Sequence, residues 1–109
     1  MTHSILADEF TIARFEAGDI EPERFTHEAH VYVAWLYVMK FPRNEALARF
    51  DAALQRFTRA IGAASKYNAM ITWLFMLLIA ERARQNEDWS SFRTRNADLI
   101  DERPLAAVA

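Results

Sequence analysis

A chain of 109 residues has room for one domain and one core, and with no cysteine it has nothing to staple that core. The missing cysteine excludes disulfides, thiolate metal sites and cysteine nucleophiles, and suits a reducing cytoplasm. A net charge of −2 excludes a bulk electrostatic pull toward nucleic acid or anionic membrane, and two glycines and three prolines supply too few turns for an all-β fold.

The predicted elements are all helical. Met1 to Leu6 lacks the basic start and long apolar stretch of a signal peptide. The first helix is predicted over Ser4 to Ala17, with Phe10, Ala13 and Ala17 along one side and Gly18 as a left-handed stop. Asp19-Ile20-Glu21-Pro22 reads as a turn. The second helix starts at Thr26, a side-chain N-cap, with Glu28 in the first turn and Phe25 placed to staple onto His30 or Val31. It is apolar nearly all round from Val31 to Met39 and stops at Phe41-Pro42.

The third helix, Asn44 to Gly62, carries Leu47, Phe50, Leu54, Phe57 and Ile61 in one stripe, with Arg49, Arg56 and Arg59 away from it among acids, as on a solvated face. The fourth, Lys66 to Gln85, is apolar on every side from Ala69 to Ala80 except for Thr72. That stretch is shorter than the about twenty residues a bilayer crossing needs. It is expected to be either the central helix of the bundle or half of a dimer interface. Asp88 is placed to cap a short helix from Trp89 to Arg95, with a further turn over Asp98 to Asp101. The fold class expected is all-α: one compact domain over residues 1–109, built of four main helices and a short C-terminal one, the second and fourth forming its buried middle. Two helices this apolar are hard to cover in so small a domain, so a homo-oligomer is expected.

Chemistry is expected mainly of His27 and His30. Three apart at a helix start, they project to one side, and Ala34 and Tyr37 continue that side. Imidazole exchanges a proton near neutral pH, and a helix N-terminus favours its neutral form. The plainer reading is of partly exposed histidines in a capping turn. Two imidazoles fall short of the three or four ligands a zinc site needs, and Asp51, Glu81 or a second chain would have to complete it, so no metal and no cofactor is expected. Asn68 and Thr72 share a face of the fourth helix. They are expected to hydrogen-bond a small apolar or aromatic ligand, with Tyr67 and Trp73 stacked on it and Met70 and Met76 as walls. The bland alternative is that Asn68 caps and Thr72 bonds back to the helix.

Phe25-Thr26-His27-Glu28-Ala29-His30-Val31 with Ala34-Trp35-Leu36-Tyr37, then Lys66-Tyr67-Asn68-Ala69-Met70-Ile71-Thr72-Trp73, then Trp89 to Leu99, together resemble a group of small bacterial all-helical hypothetical proteins. The likeness spans about Phe15 to Leu99. That group shows a Phe-x-His-x-x-His stretch and a later Tyr-His-Glu-Thr-x-Thr stretch. The resemblance implies a shared helical fold and no particular activity. His27 and His30 match the first stretch; Asn68 and Ala69 stand where the second has histidine and glutamate, so a four-residue cluster of that kind is halved here.

The function expected is small-molecule binding in a cavity between the second and fourth helices, with His27 and His30 as general base or orienting groups and Tyr37, Tyr67, Asn68, Thr72 and Trp73 around the ligand. The alternative is a non-enzymatic interaction protein that oligomerises. Alanine at either histidine is expected to abolish binding with little change in melting temperature. No nucleic acid or membrane partner is expected.

Overall fold

A computed structural model describes residues 9–101 and contains six α-helices and no strand among them. Helix α1 is Ile12–Ala17, α2 is His27–Lys40, α3 is Arg43–Ala60, α4 is Ala69–Arg82, α5 is Trp89–Arg95 and α6 is Ala97–Asp101, with single 3-10 turns at Pro22–Arg24 and Ala64–Lys66. The expected all-α architecture is what is found.

Local chemistry sets the ends of these helices. Thr11, extended, accepts a hydrogen bond from the Arg14 amide, so α1 begins there, later than expected; residues 4–8 of the predicted helix lie outside the described residues. The restart turns Phe15, not Ala13 and Ala17, to the core, while Phe10 is buried ahead of the helix. Gly18 ends α1 at φ +74°, a conformation glycine adopts without a Cβ clash. Thr26 Oγ1 caps α2 by accepting from Ala29, and Phe25 stacks on His30 with ring centroids 5.4 Å apart, the staple expected from sequence. Asn68 Oδ1 accepts from Ile71 and so fixes the start of α4 after, not at, Lys66. Asp88 caps α5 through the Ser91 amide.

Helix α2 is the centre of the bundle. It packs against α1, α3, α4 and α6. Ala29, Val31, Tyr32, Val33, Ala34, Trp35 and Tyr37 are all buried on it, so its near-uniform apolar surface is covered by protein. Helix α4 is different, and the expectation of a second inner helix is corrected. Thr72, Phe75, Met76 and Ile79 face the core, but Met70, Trp73, Leu74 and Leu77 form an outward stripe, with Met70 71 % exposed and Leu74 41 %. The six helices are too few to surround both apolar rods, and only α2 is enclosed.

An aromatic chain threads the core. Phe15 stacks on Phe50 at 5.6 Å and on Phe25 at 5.5 Å, Phe25 meets Phe57 edge-on at 5.1 Å, and Tyr37 meets Phe50 edge-on at 5.5 Å. A second cluster, Tyr32, Trp35, Trp89 and Phe92, seats α5 on α2. The C-terminal turns are tied back by polar groups. Arg82 forks onto Asp98 at 2.9 and 3.0 Å, Arg95 donates to the last-turn carbonyl of Arg82 at 2.7 Å, and Arg93 pairs with Glu28 at 2.8 Å. No helix among the described residues is long and apolar enough to cross a membrane.

Candidate functional site

An open cavity of about 430 Å³ lies where the starts of α2 and α4 meet the end of α3. Three segments wall it. Phe25, Thr26, His27 and His30 come from the staple and first turn of α2; Leu54, Phe57, Thr58 and Ile61 from the last turns of α3; and Ala63, Lys66, Tyr67, Asn68, Ile71 and Thr72 from the connecting turn and the start of α4. The volume falls within the roughly 300–1,000 Å³ typical of small-molecule sites.

Each polar side chain here has a definable task. His27 Nε2 lies 2.7 Å from the Leu99 carbonyl oxygen. A carbonyl only accepts, so Nε2 carries the hydrogen, and in the neutral form of the ring Nδ1 is the acceptor. The same ring stands edge-on to Phe75 at 5.5 Å. His30 lies between aromatic rings, parallel to Phe25 and tilted on Phe50 at 5.5 Å. Asn68 is exposed, with its carbonyl oxygen committed to the cap. Tyr67 presents its ring, while its hydroxyl donates to Asp51 and accepts from Gln55. Burial, and then the Asp51 carboxylate that accepts its proton, push the Tyr67 phenol up to about 12. Tyr67 is therefore a fixed, neutral wall rather than a proton donor in use at pH 7.

Thr72 does not back-bond as the bland alternative has it. Its side chain is 7 % exposed, yet its hydroxyl has no hydrogen-bond partner among the described residues and is not sealed off. It sits on the inner face of α4 and lines the cavity.

Tyr37 and Trp73, expected beside a ligand, do not line this cavity. Tyr37 lies three turns further along α2, 0 % exposed, between Phe15, Phe41 and Phe50, with its hydroxyl donated to Glu16 at 2.9 Å. Trp73 follows Thr72 by 100° of helical rotation and so points outward, 38 % exposed. Of the expected walls, Met70 also points outward and Met76 belongs to the core. The wall given by α3 and by the turn through Ala63 was not foreseen. Its signal was Gly62, a left-handed stop at φ +73° that turns the chain straight from the end of α3 into Tyr67.

Asp51 is engaged by Tyr67 and Gln55, and Glu81 lies at the other end of α4. Neither completes a ligand set with the histidines, and among the described residues no three His, Asp or Glu side chains group as metal ligands. No protein-family model, curated protein or solved structure matches the chain. The functional reading therefore stands on the residues of this cavity.

Proposed function

We propose that the protein binds a small, mostly apolar organic molecule in the cavity between α2, α3 and α4. The observation that carries this is the gathering of His27, His30, Tyr67, Asn68 and Thr72, from segments far apart in sequence, around one open volume of about 430 Å³. Phe25, Leu54, Phe57, Ile61 and Ile71 supply apolar surface, and a few polar groups fix orientation, which is the usual make-up of a ligand site. His27 keeps Nδ1 for a ligand hydrogen, and His30 is held in place by its two ring neighbours.

The test is amide NMR with a panel of aliphatic and aromatic fragments. Binders are expected to shift the amides of Thr26 to His30 and Asn68 to Thr72. Ala63→Leu, which adds bulk to the cavity wall, is expected to weaken those binders at least about tenfold, the effect of some 1.4 kcal/mol of lost contact, without unfolding the protein. Fragments that bind equally well to this variant, or that shift other regions, overturn the proposal.

A second reading is favoured by the exposed stripe of α4. Leu74, Leu77 and Leu78 floor a shallow groove edged by Arg43 and Glu81, neither of which has an ion-pair partner among the described residues. A surface with an apolar floor and one unpaired charge of each sign complements itself, so the partner we infer is a second copy of the chain. Light scattering on a size-exclusion column is expected to give a dimer, and Leu74→Glu a monomer of unchanged helicity. A wild-type monomer at about 0.1 mM, a concentration at which even micromolar dimers form, overturns this reading.

A further inference from the structure

We propose that the cavity selects an anionic ligand, a small carboxylate carrying an apolar chain or ring; this rests on the reading of the cavity as a ligand site and names what it takes. The first observation is Thr72. Its side chain is largely buried, but its hydroxyl, which makes no hydrogen bond among the described residues, stays open to solvent at the cavity edge. A hydroxyl so placed can exchange water for a polar atom of a ligand that enters. The second is charge. Lys66 lines the cavity, exposed and with no ion pair among the described residues, and none of the described residues that line it is an aspartate or glutamate. Of the nearby acids, Glu28 holds Arg93 and Asp51 holds Tyr67 and Gln55, while Glu21 and Glu23 flank Pro22 at the rim and are exposed to solvent. The third is the backbone. Two 14-residue helices, α2 and α4, begin at the cavity edge, and the N-terminal end of each carries partial positive charge.

Together these make a site with hydrogen-bond donors and positive potential at its polar wall and phenyl and aliphatic surface opposite. A neutral ligand can bond Thr72 and His27 but leaves Lys66 without a counter-charge. A cation would face Lys66 and two helix starts with no counter-charge. A carboxylate accepts a hydrogen bond from Thr72, is neutralised by Lys66 and lays its tail on Phe57, Ile61 and Ile71.

The experiment compares hexanoate, hexanamide and hexylamine by amide NMR titration of the intact protein at neutral pH and low salt. Hexanoate is expected to shift the Thr26–His30 and Asn68–Thr72 amides with a Kd about tenfold below that of hexanamide, the ordinary advantage of a charge-assisted hydrogen bond, and hexylamine to bind weakest. Thr72→Val, which keeps the shape, and Lys66→Gln, at an exposed position, are each expected to cut the preference for hexanoate over hexanamide several-fold. Equal affinity for hexanoate and hexanamide at those amides overturns the anionic selectivity and leaves the ligand site standing. A preference that survives both substitutions overturns the assignment to Thr72 and Lys66. Absence of shifts at those amides with every compound overturns the site itself and the selectivity with it.

Discussion

Replacing Phe50 by alanine is expected to lower the unfolding free energy by about 3–5 kcal/mol, the usual cost of truncating a fully buried aromatic side chain. Phe50 is 0 % exposed and is the junction of the core: Phe15 stacks on it, Tyr37 and His30 lean on it, and it sits on the stripe of α3 that faces α2. Removing it opens a void bordered by three rings that are themselves held by others, so the site cannot close by a single rotamer change. Domains of this kind have only about 5–15 kcal/mol to lose. Urea unfolding followed by circular dichroism checks the value, with the midpoint moving and the slope unchanged. Because His30 leans on Phe50, ligand affinity is expected to fall in the same variant even under conditions where it is folded. A loss below about 0.5 kcal/mol, the size of a typical surface change, would mean that the aromatic chain is not what holds α1, α2 and α3 together.

How much of this was legible in the sequence depends on whether the deciding contact is local. Thr26, Gly18 and Asp88 act on amides and torsions within a few residues, and the helix ends they set can be read directly. The histidine pair is legible for the same reason, since spacing on one helix fixes a shared side. The boundary of α4 slipped because Asn68 and Lys66 are both plausible starts, and only the hydrogen bond from Ile71 to Asn68 decides between them. The burial of α4 was misread because composition gives the hydrophobicity of a helix and not the number of neighbours available to cover it. Its inner and outer faces, Phe75 and Ile79 against Leu74 and Leu77, are equally apolar, so the periodicity that normally marks the core side is missing. Tyr37 shares a helix side with His27 and His30 over several turns, but the cavity is confined to the first turn, and the rest of that side meets Phe15 and Phe50. The Arg82–Asp98 fork and the His27–Leu99 bond join segments far apart in the chain, and no spacing rule reaches that far.

His27→Ala is expected to cost about 2–3 kcal/mol of stability, which corrects the expectation that either histidine could be removed with little thermal effect. The substitution strips the Leu99 carbonyl of its donor, and an unpaired buried acceptor alone costs roughly 1–3 kcal/mol. It also removes the edge contact with Phe75 on α4. Leu99 is 0 % exposed with the imidazole in place. His27→Gln, whose amide can donate at a similar reach, is expected to recover at least half of the loss. Thermal and urea unfolding of the two variants check both halves, and an alanine variant as stable as wild type would remove the clamp from the account. The comparison with His30 then separates architecture from binding. His30 rests on Phe25 and Phe50 at the cavity wall, and His30→Ala is expected to weaken ligand binding more than it lowers the melting temperature. His27 spans both tasks: one ring nitrogen holds the C-terminal turn against α2 while the other remains the acceptor. A ligand that donates to Nδ1 is therefore expected to couple cavity occupancy to the docking of α6, and bound hexanamide, which carries N–H groups, should slow amide hydrogen exchange at Leu99 and Ile100 in wild type but not in His27→Ala.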